Sequence, residues 1–224
     1  MTIAERLYGK IIVSSQAMPD EPFYDEKCMT AMMQSVVAGG ASGLRVAGAR
    51  DVKIAKEKFD IPIIGLTKPE KLPENWKSVV YITPTLGDVE LLIEANADII
   101  AFDGTLRKHS VPVSDMVERI HEAGKLAMAD ISTLQEGVEC AKIGCDFIST
   151  TLSGYTDYSV NLLDVPDFEL LKSLVQTVDK PVILEGRIWT VEDVRKAFDI
   201  GAHCVVIGSA ITRPQLITKR FVNY

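Results

Sequence analysis

Residues 98–150 read DIIAFDGTLRKHSVPVSDMVERIHEAGKLAMADISTLQEGVECAKIGCDFIST. Three apolar runs stand in this stretch, beginning near residues 98, 125 and 147. They are nearly continuous rather than alternating, the pattern of parallel strands covered on both faces. Between the first two, Met116, Val117 and Ile120 recur at helical steps and form an apolar stripe. Thr133 marks the start of the next helix as an N-cap. The first run delivers Asp103 at its end, the second Asp130 and the third Thr150. Strand, helix, strand, helix, strand, with a polar residue at each strand end, is the repeating unit of a parallel α/β fold.

The same unit extends outward in both directions. Further apolar runs begin near residues 10, 43, 62, 181 and 204, and carry or end in Gln16, Arg45, Lys68, Glu185 and Ser209. Helical stripes fall between them, at Met29, Met32, Met33, Val36 and Val37, at Val89, Leu92 and Ile93, and at Val191, Val194 and Phe198. The joints also repeat. AGGASGLRV, KIGCDFIST and DIGAHCVVI each place a small or glycine C-cap before the strand, while Pro62 and Pro181 stand at strand entrances, where a missing N–H is tolerated. Thr190 starts another helix, and Pro214, at a first helical position, follows Thr212 and Arg213. Eight strand–helix units predict a (β/α)8 barrel forming one domain over residues 1–224. A doubly wound open sheet is the competing arrangement, but no GxGxxG follows the first strand. In a barrel all eight strand ends converge on one cavity, where an active site is expected. The unit from Pro69 to Thr85 is irregular: VVYITPT reads as a short extra strand, and the proline-rich part before it either as a loop over the mouth or as decoration.

Composition narrows the function. The 224 residues are 47% hydrophobic, enough for one sizeable core, and carry a net charge of -7. No Lys/Arg run is dense enough to track a nucleic-acid backbone, no stretch has the length of a membrane span, and MTIAERLYGK lacks the apolar segment of a secretory signal. A cytoplasmic protein is expected, with a small molecule as partner rather than nucleic acid or membrane. Cys28, Cys140, Cys145 and Cys204 have no CxxC spacing, and His109, His121 and His203 have no metal-ligand spacing, so neither a disulfide framework nor a structural zinc is expected.

VSSQAMPDEPFYD at 13–25, GLRV at 43–46, IIGLTK at 63–68, AFDGT at 101–105, MADIST at 128–133, STTLSGYT at 149–156, ILEGRI at 183–188, VVIGSAITRP at 205–214 and ITKRFV at 217–222 occur in that order. Together they resemble the bacterial N-acetylmannosamine-6-phosphate 2-epimerases of sialic-acid catabolism, over nearly the whole chain. The resemblance implies a barrel enzyme, a sugar-phosphate substrate, no cofactor and a homodimer. Inverting C2 of an N-acetylamino sugar requires an open ring, a base of tuned pKa, stabilisation of an enolate-like anion and return of the proton on the other face.

Lys68 is the candidate base, from its place at a strand end and from the resemblance; a salt bridge to Asp130 or Glu185 is the bland alternative. Arg45, one strand away, is placed to depress the lysine pKa and to neutralise the developing oxyanion. The resemblance implies that Glu185 is the partner acid/base or the group that moves protons on the sugar hydroxyls. An ionised Glu185 near Lys68 would raise the lysine pKa. Either the two act on opposite faces, or Lys68 makes both transfers. Asp130 is expected to accept from sugar hydroxyls and Gln16 to bind the sugar chain or acetamido group. Thr150 is a weaker candidate, and Asp103 reads equally as a cap for the DGT turn. Gly186, Arg187, Gly208, Ser209 and Arg213 fall in the loops after strands seven and eight, where such barrels bind phosphate. Ser153 and Tyr155 belong to a further ligand-side loop. PQLITKRFVNY reads as a short final helix with Leu216, Ile217 and Phe221 on one side, either an ordinary eighth helix closing a monomer, which the sequence alone slightly favours, or a face for a second subunit, as the resemblance implies. A Schiff-base aldolase on Lys68 and a non-catalytic sugar-phosphate sensor are the competing functions.

Overall fold

The computed structural model describes residues 1–159 and 164–223. Eight parallel strands close into a barrel in chain order: β1 (Lys10–Ser15), β2 (Gly43–Ala47), β3 (Ile63–Leu66), β4 (Ile99–Asp103), β5 (Leu126–Asp130), β6 (Phe147–Ser149), β7 (Val182–Glu185) and β8 (Cys204–Ile207). The open-sheet alternative is excluded by β8 pairing back onto β1, with Lys10 opposite Cys204. A short helix, α1 (Ile3–Leu7), precedes β1 and buries Leu7 among the inward-facing side chains. The outer helices are α2 (Glu26–Ala38), α3 (Ala49–Lys58), α4 (Leu86–Glu94), α5 (Val113–Glu122), α6 (Leu134–Ile143), α7 (Phe168–Thr177) and α8 (Val191–Ile200). After β8 come α9 (Ser209–Thr212) and α10 (Pro214–Val222).

The period of two along each strand divides the apolar residues into two cores. Ile12, Ile64, Ile99, Met128, Phe147, Ile183 and Cys204 point inward and fill the barrel. Val13, Leu44, Ile63, Ile100, Ile148 and Val205 point outward against the helices. Both faces are therefore buried, which is why the strands read as continuous apolar runs.

The joints follow the local chemistry. Thr133 and Thr190 form capping boxes with Glu136 and Asp193, and Thr85 forms a third with Asp88. Gly144 and Gly201 end α6 and α8 in the left-handed conformation, at φ 109° and 110°, which glycine adopts without strain. Pro62 and Pro181 precede β3 and β7, and their carbonyls still accept from Leu44 and Ile148 on the neighbouring strands.

The expected extra strand at VVYITPT does not form. Thr83 has φ 46°, which breaks an extended run at a β-branched residue. Residues 82–83 instead form a wedge between the ends of β3 and β4. Thr83 N–H donates to the Thr67 carbonyl (3.1 Å), the Thr83 hydroxyl to the Ala101 carbonyl (2.7 Å), and Asp103 N–H to the Ile82 carbonyl (3.1 Å).

Candidate active site

The inward parity that fills the barrel with apolar side chains continues past the strand ends with polar ones. Ser14 and Gln16 follow Ile12 around the end of β1, Arg45 lies on β2, Lys68 follows Leu66, Asp130 follows Met128, Thr151 follows Phe147 and Ser149, and Glu185 follows Ile183. These positions converge at the carboxyl rim around a cavity of about 410 Å³. Its lining includes Ser14, Gln16, Lys68, Tyr81, Thr151, Tyr155, Glu185, Gly186, Arg187, Gly208, Ser209 and Arg213.

Arg45 forms the floor. Its guanidinium is buried and donates to Asp130 Oδ2, to Glu185 Oε2 and, at 3.1 Å, to Thr151 Oγ1. The Thr151 hydroxyl lies 2.7 Å from Asp130 Oδ1 and 3.1 Å from Glu185 Oε2. One cation thus joins two carboxylates from β5 and β7 into a single network. Asp130 is completely buried with both oxygens engaged, so its carboxylate sits beneath the cavity rather than at its surface, where hydrogen bonding to sugar hydroxyls was expected. Arg45 likewise lies below the lining and acts on the cavity through its field and its partners.

Lys68 stands across the cavity from Glu185, since β3 and β7 are opposite in an eight-membered ring. Its Nζ donates to Gln16 Oε1 (2.8 Å), and Gln16 Nε2 in turn donates to Ser14 Oγ (2.8 Å). The salt-bridge alternative for Lys68 is not what forms: no carboxylate among the described residues lies within ion-pair distance of it. The protein packed around the mouth, and then the charge of Arg45, lower its pKa from 10.5 to about 8. The side chain is open to solvent, and water in the mouth moderates this depression, while a bound molecule that displaces the water restores it. Burial raises the pKa of Glu185 above the ordinary carboxylate value against the opposing pull of Arg45. Among the charges acting on Lys68, Arg45 lowers its pKa by more than Glu185 alone raises it, and Asp130 adds to the opposing side. A lysine with a lowered pKa and a carboxyl with a raised one, facing each other across a cavity, have the shifts of groups that exchange protons with a bound molecule.

The structure turns Thr150, the weaker candidate, away from the cavity and brings its neighbour Thr151 to it. The Thr150 hydroxyl is buried and bonds the backbone of Glu185, donating to its carbonyl (3.0 Å) and accepting from its N–H (3.1 Å). It positions Glu185 from behind, and Thr151 faces the cavity. Asp103 lies outside the cavity, capping Thr105 N–H at 3.0 Å and paired with Arg107. The Ser153 hydroxyl is spent on Asp167 (2.5 Å).

The loops after β7 and β8 complete the rim. Gly186 and Arg187 both have positive φ, 108° and 56°, and turn the chain sharply under the cavity edge. The Arg187 guanidinium donates to the carbonyls of Ser153 and Val165, both at 2.9 Å, and lies over the Tyr155 ring. Gly208 begins α9 with no side-chain cap, and Arg213 pairs with Glu21 at 2.7 Å beside the mouth. Among the described residues no group of three or more His, Cys, Asp or Glu side chains is arranged to hold a metal ion.

Comparison with known proteins decides the family. Residues 29–224 match the model of the NanE family, described as an N-acetylmannosamine-6-phosphate epimerase family on a provisional basis. The chain belongs to the NanE family. A relative from Clostridium perfringens is 49% identical over 218 residues, with 96% of each chain covered. One from Caldanaerobacter subterraneus subsp. tengcongensis is 45% identical over 228 residues, covering 100% of this chain and 94% of the relative. Both carry the name N-acetylmannosamine-6-phosphate 2-epimerase provisionally. A biochemically characterised C. perfringens N-acetylmannosamine-6-phosphate 2-epimerase of solved structure superposes with a TM-score of 0.94 at 46% identity, covering 100% of this chain and 96% of that one. A deoxyribose phosphate aldolase from Aeropyrum pernix, at 15% identity and a TM-score of 0.67, shares the fold alone.

Proposed function

We propose that this NanE-family protein is an isomerase that interconverts N-acetylmannosamine 6-phosphate and N-acetylglucosamine 6-phosphate by removing and returning the C2 proton. The supporting observation is Lys68 facing Glu185 across one cavity, with Arg45 between them and below. With the sugar ring open, the C1 aldehyde acidifies the C2 proton. Lys68 takes it from one face, the field of Arg45 steadies the enolate-like anion, and Glu185 supplies a proton on the other face. In the reverse direction the two exchange roles. Gln16 orients the sugar chain beside Lys68, and Asp130 and Thr151 hold Arg45 and Glu185 in register. Gly186, Arg187, Gly208, Ser209 and Arg213 form the phosphate end, because glycine lets backbone N–H groups approach an anion. A single domain over residues 1–224 carries all of these groups.

The Schiff-base aldolase reading is not favoured, because the likeness to an aldolase stops at the fold. Resemblance supports a place in sialic-acid catabolism in the cytoplasm, and no described helix is long and apolar enough to cross a membrane.

Reaction in deuterium oxide tests the chemistry. The epimerised product is expected to carry deuterium at C2. Complete retention of the original proton in both the product and recovered substrate would overturn transfer between two solvent-exchanging groups. Trapping of substrate on Lys68 by borohydride would replace epimerisation with the aldolase reading.

A further inference from the structure

Asp103 ends β4 and Arg107 follows four residues later, and both are buried outside the cavity lining. A buried ion pair is by itself a weak source of net stability, and this pair does more than neutralise itself. Asp103 Oδ1 accepts from the Thr105 N–H (3.0 Å) and hydroxyl (2.6 Å), and its other oxygen accepts from Arg107. Arg107 Nε donates to Thr105 Oγ1 at 3.0 Å, which fixes the plane of the guanidinium. Its Nη1 is then aimed into the 69–85 segment, toward the carbonyls of Trp76 (3.1 Å) and Lys77 (3.4 Å). The same guanidinium lies 5.5 Å from the centre of the Tyr81 ring, and Tyr81 lines the cavity beside Lys68.

The chain of contacts continues over the mouth. The Trp76 ring stands edge-on to Tyr81 at 6.3 Å and lies 6.1 Å from Tyr155, which comes from the segment after β6. Ser78 donates to Asp157 on that second segment. The Arg187 guanidinium also lies over the Tyr155 ring, 5.3 Å from its centre. Two segments from separate parts of the rim, after β3 and after β6, therefore meet as an aromatic roof, with Tyr81 and Tyr155 as its cavity side.

We propose that Arg107 is a positioning residue for the epimerisation, holding this roof over the carbon that Lys68 deprotonates through the carbonyls of Trp76 and Lys77 and the face of Tyr81. The inference rests on the epimerase reading. With a sugar phosphate in the mouth, the roof keeps water from returning around the reacting lysine, the condition under which it serves as a base near neutral pH. The task requires the planar fork of an arginine, which points donors to Asp103, Thr105 and the roof at once; a lysine is a point charge on a flexible stem.

Arg107→Lys keeps a cation beside Asp103 and separates the two roles. Assayed with N-acetylmannosamine 6-phosphate, kcat/KM is expected to fall roughly ten- to a hundredfold, the scale of a small misplacement at a reacting centre, with a raised KM. The limb of the kcat profile governed by Lys68 in the complex should move to higher pH as water re-enters. The charges facing that lysine, Arg45, Glu185, Asp130 and Arg213, are the same in both proteins. Trp76 emission, read in a Trp189→Phe background, should become more accessible to acrylamide. Ser78→Ala, which opens the roof without touching the buried pair, should shift KM and the pH limb the same way by less. Normal KM and pH limb in Arg107→Lys, with only a lower unfolding midpoint, would overturn the inference. Should that variant not fold, the same normal result in Ser78→Ala would overturn it. A parent protein unable to interconvert the two sugar phosphates would overturn the epimerase reading and this inference together.

Discussion

The chemistry proposed for Lys68 rests on where it stands. Surrounding protein and Arg45 disfavour its charged form, and only Gln16 among the described residues accepts a hydrogen bond from it. Lys68→Ala is expected to lose roughly 10²–10⁴-fold in turnover, the scale of a positioned general base, while still binding the sugar phosphate; near-normal turnover would remove Lys68 from the mechanism. The same lowered pKa has a stability signature. Below about pH 8 the lysine is charged in both the folded and unfolded chains, and the fold bears the full cost of that charge. Between about 8 and 10.5 the unfolded chain binds more protons than the folded one, so stability rises with pH. Denaturant melts of the parent and Lys68→Met should therefore show the parent gaining on the variant as pH rises through that window. A constant difference would mean that solvent in the mouth leaves the lysine with an ordinary pKa.

The elements deliver these residues by parity and by the shape of the loops. Ser149 and Thr151 share the inward parity of Phe147, while Thr150 points the other way and bonds the Glu185 backbone. The end of the apolar run pointed to Thr150; the inward phase of β6 brings Thr151 to the cavity instead. Residues 82–83 could not be placed as a wedge from their composition, because hydrophobic and β-branched residues suit a strand equally well. The elements after β7 and β8 make a separate prediction. Arg213 stands at the start of α10, on the β8 side of the same cavity, and is paired with Glu21. Arg213→Ala should chiefly raise KM for the phosphorylated sugar and reduce its preference over unphosphorylated N-acetylmannosamine, since remote contacts bind ground and transition states alike. An unchanged preference would place the phosphate elsewhere.

At the scale of the molecule, α10 is the element that the barrel does not absorb. No residue of this helix is buried, and Phe221 and Val222 are 77% and 68% exposed. An apolar helix end left in water favours a second copy of the chain, and two-fold dimers are the commonest soluble oligomers. Sedimentation at micromolar concentration is expected to give a species of twice the chain mass of 24.6 kDa. Phe221→Glu should shift that species toward monomer. A single species at the chain mass would remove the dimer.

Strand–helix alternation, the caps at Thr133 and Thr190, the glycine ends at Gly144 and Gly201 and the proline entrances were all legible in the sequence, because each depends on interactions within a few residues. The identity of the strand-end residues was legible for the same reason: a parallel barrel brings every carboxyl end to one rim, so Lys68, Arg45, Asp130 and Glu185 had to share a neighbourhood. Their depth within it was not. Whether Asp130 meets the cavity or lies beneath it, whether Arg45 touches a ligand or acts through Glu185, and which partner Arg107 finds in the 69–85 segment depend on distances between groups tens of residues apart. Only closure of the barrel sets those distances, by fixing which side chains reach water and which must find their partners inside.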